Sequence, residues 1–143
     1  MTTREADGSG LRSTGAVLAG VVAVLVLSVG TDTVFHLLKV YPPFGEPMWD
    51  PKLNLLALSY RCVYGVLGSY IAGRLAPRRP MKHAMIVAGI GFVLSVVGIT
   101  FYFVKNIPGP AWLPIALTLT ALPGGWLGGL LANASRPRRS RPA

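Results

Sequence analysis

The sequence predicts an all-α integral membrane protein, with four transmembrane helices in an antiparallel bundle and both termini in the cytoplasm. Three observations predict it. Hydrophobic residues make up 52% of the 143-residue chain and charged residues only 13%, against about 25% charged in soluble domains. The apolar residues gather in four runs, each near the roughly 20 residues that a helix needs to cross a bilayer. The cations, 14 against 5 anions for a net charge of +9, fall mainly on one side of those runs, ten against three.

The elements follow in order. Residues 1–13 are polar and are expected to be a disordered cytoplasmic terminus. The transmembrane domain covers 14–134. Span 1 covers about 15–40, crossing Thr31-Asp32-Thr33 and continuing into Val34–Leu38. A cleaved signal peptide has an apolar region of about 7–15 residues. Apolar sequence reaching Val40 is longer than that, so span 1 is read as retained. The segment from Tyr41 to Lys52 holds four prolines. Proline lacks a backbone donor and pushes the residue before it out of the helical region, so no helix continues through. Span 2 covers about 53–76, and Pro77-Arg78-Arg79-Pro80 forms a basic turn. Span 3, 84–104, carries no charge. Pro108-Gly109-Pro110 divides it from span 4, about 111–134, where Pro123-Gly124-Gly125 predicts a kink or break. Residues 135–143, rich in Arg, Pro and Ser, read as a disordered basic cytoplasmic tail.

Orientation follows from the cations. Arg4, Arg12, Arg74, Arg78, Arg79, Lys82 and the four tail arginines lie on one side; Lys39, Lys52 and Lys105 lie on the other. Positive charge is retained in the cytoplasm, which places the protein in the cell inner membrane, multi-pass, with both termini and the 2–3 turn inside. Tyr41, Trp49, Tyr102 and Trp112 then fall near the outer boundary, as an interfacial aromatic belt does. The arginines sit beside span ends without interleaved aromatics, so nucleic-acid binding is excluded. The partners expected are the lipid bilayer, with anionic lipid at the cytoplasmic face, and a second copy or a larger membrane complex.

Intramembrane ionisable residues are functional candidates by default. Asp32 and His36 are four apart and share a helix face. Arg61 lies about eight residues into span 2, and Asp32 a similar depth from the same end of span 1. An unpaired charge at depth costs about 2.5–3.5 kcal/mol on insertion scales, so the two are expected to pair. With Tyr60 and Tyr64 they form a candidate polar cluster in the outer half of spans 1 and 2: Asp32, His36, Tyr60, Arg61 and Tyr64. His83, in the basic turn, reads as a solvated interfacial histidine.

Small residues form a second pattern. Gly65, Ser69 and Gly73 recur every four residues on span 2, beside a neighbouring stripe of Gly68, Ala72 and Ala76; Gly125 and Gly129 continue from Ala121 on span 4, with Gly124 and Gly128 adjacent. At this spacing helix backbones approach closely. Gly65, Ser69, Gly73, Gly125 and Gly129 are the expected helix-packing positions.

The chemistry the sequence excludes is broad. The lone cysteine, Cys62, supplies neither an internal disulfide nor a paired-thiol centre. No diagnostic metal-ligand spacing, cofactor fingerprint or nucleophile–base motif is present. The expectation is therefore a non-enzymatic small membrane protein without cofactor or metal, acting as an accessory or interaction subunit. The alternative is a small transporter or channel component using the polar cluster.

Overall fold

A computed structural model describes residues 3–136, with side chains from Gly10 onward. The described chain is all-helical: α1 Thr3–Leu37, α2 Pro51–Leu75, α3 Pro80–Val104 and α4 Trp112–Ala134. All four are long and apolar enough to cross a membrane, α1 over Gly10–Leu37. Most of their large side chains face outward. Leu18, Val22, Leu25, Val29, Val63, Val93, Val97 and Leu119 are all more than half exposed. Apolar surface on that scale, all round the molecule, belongs in lipid.

Local chemistry sets the helix ends. Asp50 caps α2, its carboxylate accepting from the Lys52 N–H at 2.8 Å, with Pro51 at the first helical position, where its missing donor costs nothing. Ala76 is extended because Pro77 follows it. Past α1, Lys39 takes a left-handed φ of 57°, and the N–H groups of Val40 and Tyr41 return to the Phe35 carbonyl at 2.9 and 3.1 Å. Buried Asn54 donates to the Met48 and Asp50 carbonyls at 2.9 and 2.8 Å, fastening the 38–50 loop to α2.

Four expectations change. α1 begins at Thr3, not near residue 15: no proline interrupts 3–37, and once nucleated a helix propagates at little cost. α4 runs unbroken through Pro123, because packing on both flanks holds a helix that has lost one hydrogen bond. α3 starts a turn earlier than expected, which brings His83 into its first turn. There His83 is buried rather than solvated, its Nδ1 3.2 Å from the Arg79 carbonyl oxygen. Arg136, expected in the disordered tail, is ordered. Its guanidinium donates to the carbonyls of Gly73, at 3.0 Å, and Ala76, satisfying the last turn of α2. The rest of the expected tail, 137–143, lies outside the described residues, as do Met1 and Thr2.

The core is built from small side chains. Ala16, Ala57, Ser69, Ala72, Ala84, Ala88 and Ala132 are buried. α2 packs against all three other helices, while α1 and α4 do not meet. Helices crossing in lipid gain from dispersion and backbone approach rather than from exclusion of water, which favours small residues at the contact. α1 crosses α2 at Gly20 and Gly68: a Cβ at Gly20 would stand 2.5 Å from the Gly68 carbonyl oxygen. α4 crosses α2 at Gly128, where a Cβ would stand 2.5 Å from the Val66 carbonyl oxygen and 2.9 Å from the Tyr70 nitrogen. Where α4 meets α3, Gly125 abuts Ala88 and Gly129 abuts Met81; Gly73 of α2 abuts Ala132 of α4. Gly65 differs from the other expected packing positions, since a Cβ there would meet nothing within 4 Å.

Candidate functional site

The 38–50 loop end of α1 and α2 brings Asp32 and Arg61 together. Both helices rise from the same loop, so residues a similar number of turns from it come level. Arg61 Nη2 lies 2.5 Å from Asp32 Oδ2. The Tyr60 hydroxyl donates to the other carboxylate oxygen, Oδ1, and the Tyr41 hydroxyl donates to Tyr60 at 3.2 Å. The result is a chain of donors, Tyr41 to Tyr60 to Asp32, closed by the guanidinium. Members of such chains polarise and strengthen one another. The guanidinium carbon also stands 5.8 Å from the Tyr60 ring centroid, within cation–π range. Burial pushes the Tyr41 hydroxyl above its ordinary pKa.

Of the five residues read from the sequence, Asp32, Tyr60 and Arg61 touch. His36 sits one turn nearer the loop and engages the backbone there. Its Nδ1 is 2.7 Å from the Pro42 carbonyl oxygen, a contact only an Nδ1–H can make, so in the neutral ring Nε2 carries the lone pair. Its ring stacks on Phe44, centroids 3.9 Å apart. Tyr64 lies one turn deeper, hydrogen-bonded to Thr31 at 2.9 Å and not to the ion pair.

Sequence reasoning missed Tyr41, Phe44 and Thr31. Tyr41, expected in an interfacial aromatic belt near the outer boundary, is 6% exposed and packs edge-on against Phe35 at 5.1 Å. Its signal was its position, between the helix-ending turn at Lys39 and the Pro42-Pro43 pair, which together fold the loop back over α1.

The cluster is not fully enclosed by the chain. The Asp32 and Arg61 side chains are 26% and 30% exposed. They line a cavity of about 230 Å³ with His36, Tyr41, Phe44 and Glu46. Two carboxylates against one guanidinium give this cavity no anionic selectivity. Deeper in the bundle, α1, α2 and α3 border a separate groove of about 100 Å³, lined by Val24, Gly65, Ser69, Ala88, Gly91 and Leu94 among others. It is almost wholly apolar and does not prolong the polar cavity. Cys62 is half-buried, its thiol 3.4 Å from the Thr120 hydroxyl. Among the described residues, no three His, Cys, Asp or Glu side chains gather closely enough to hold a metal ion.

The fold and the site together define a small multi-pass membrane protein with an internally bonded polar cluster. Comparison with family models, with curated proteins and with solved structures finds no match for this chain.

Proposed function

We propose that this is a non-enzymatic inner-membrane protein that acts as an accessory or interaction subunit. Its four spans run antiparallel with both termini cytoplasmic. The distribution of Lys and Arg supports the orientation. The observation that carries the interaction reading is the α1–α3 groove. Gly65 and Gly91 both line it, and a Cβ on either would meet nothing within the chain. Glycine inside a helix costs about 1 kcal/mol relative to alanine, and here no intramolecular contact offsets that cost. A transmembrane helix of another subunit laid against this face would, because close approach of two backbones is what such positions permit. In this reading Asp32, Tyr60 and Arg61 hold α1 and α2 in register and present the loop.

The test replaces the two glycines separately. Gly65→Leu and Gly91→Leu have room within the monomer and are expected to leave its thermal stability unchanged. In native gels of mildly solubilised membranes, the parent is expected to run in a complex well above the mass of one 15.2 kDa chain, and each leucine variant as the free chain. Complexes of unchanged size in both variants would contradict the reading.

One observation favours a second reading, a small transporter or channel component. The ion pair is partly exposed and lines an open cavity, where a polar solute has room to bind. The apolar groove beneath it supplies no onward polar path, which ranks this reading second.

A further inference from the structure

A second surface joins an apolar channel to a basic end. α2 and α4 form a groove of about 550 Å³, lined by Cys62, Val63, Val66, Leu67 and Tyr70 on one side and by Leu127, Leu131 and Ser135 on the other. Both stripes advance one helical turn at a time over eight residues, about 12 Å of channel. Its walls are aliphatic until the end, where Tyr70 and Ser135 bring two hydroxyls. Arg74 is one turn beyond Tyr70 on the same face of α2 and is exposed. Arg78 and Arg79 follow, also exposed. No Asp or Glu occurs anywhere after Asp50, so nothing acidic on α2, α3 or α4 offsets these charges. Arg136 is already committed to the carbonyls that end α2, which leaves Arg74, among the described residues, as the guanidinium aligned with the groove.

We propose that this groove binds one anionic phospholipid, its acyl chain along the aliphatic walls and its phosphate at Tyr70 and Arg74. The Arg74 guanidinium and the Tyr70 hydroxyl are donors, and a phosphodiester offers only acceptors; the Ser135 hydroxyl donates instead to the Leu131 carbonyl at 2.8 Å. The α1–α3 groove lacks such an end and has no place for a headgroup. The lipid's leaflet, cytoplasmic, rests on the orientation proposed above; the site itself does not.

The experiment is native mass spectrometry of the purified full chain in detergent, titrated with dioleoylphosphatidylglycerol or dioleoylphosphatidylcholine. The chain is expected to retain the anionic lipid about fivefold better. Arg74→Gln should remove about that factor, one cation near a headgroup being worth that much, while Arg78→Gln changes retention less than twofold. Leu131→Trp, which fills the channel, should lower retention of both lipids. All three positions are exposed, and unchanged thermal stability confirms that the variants fold. Equal retention of the two lipids would overturn the site. So would equal losses in Arg74→Gln and Arg78→Gln, which signify diffuse attraction to a basic surface, or undiminished retention in Leu131→Trp. A reporter that reversed the membrane orientation would move the lipid to the other leaflet without altering any of these outcomes.

Discussion

Gly128→Ala is expected to destabilise the folded chain by about 2–3 kcal/mol, a large effect for one methyl group. The added carbon would stand 2.5 Å from the Val66 carbonyl oxygen and 2.9 Å from the Tyr70 nitrogen. Both are backbone atoms of α2, so no rotamer change relieves the overlap; the whole helix has to move. Two neighbours calibrate the effect. At Gly129 the obstructing atom is the Met81 sulfur, the flexible end of a side chain, and alanine there should cost about 1 kcal/mol. At Gly124 the nearest atom is a Val66 methyl at 3.6 Å, an ordinary contact. Alanine there should be neutral or slightly stabilising through its helix propensity. Thermal unfolding of the three variants in one detergent checks the order. Equal stability of Gly128→Ala and Gly124→Ala would show that α2 and α4 do not cross at this point.

The second large effect is expected at the ion pair. Asp32→Ala strands Arg61 and removes the acceptor of the Tyr60 hydroxyl. Breaking a fully buried pair costs about 3–5 kcal/mol, and an exposed pair contributes about 0–1 kcal/mol. With side chains about a quarter to a third exposed, the loss should be about 2 kcal/mol. Arg61→Ala should cost a similar amount. The double alanine variant should cost clearly less than the two losses added, because each single change removes the same interaction. Single variants as stable as the parent would mean that the pair does not hold α1 to α2. Asp32→Asn separates the two functional readings. It keeps an acceptor for Tyr60 but removes the charge, so an interaction subunit should assemble normally with it, whereas a transporter acting through this carboxylate should lose its flux.

The four spans were legible from hydropathy and the breaks between them from proline. The Asp32–Arg61 pair was legible as well: two charges at matched depth on consecutive spans have few other partners in hydrocarbon. What was hidden has a common cause. The helices are apolar all round, so periodicity does not mark which face points inward. α2 carries two stripes of small residues, one through Gly65, Ser69 and Gly73 and one through Gly68 and Ala72. Choosing between them requires knowing where α1 and α4 cross. Gly68 proved to be the α1 crossing, with Gly20 as its partner, and Gly65 faces open space. Tyr41 and His83 were hidden for a different reason: each sits in or beside a turn, where a shift of up to one turn in a helix end decides between lipid, water and core.

The central claim is that this chain crosses the membrane four times with both ends in the cytoplasm, and cysteine labelling tests it most directly. Cys62 is the single native cysteine, so Cys62→Ala provides a clean background. In intact cells, a membrane-impermeant maleimide is expected to label a cysteine placed at Gly45, in the loop beside the polar cluster. A cysteine placed at Arg79 should be labelled only after the membrane is opened. Labelling of the Arg79 position in intact cells, or protection of the Gly45 position, would contradict the account.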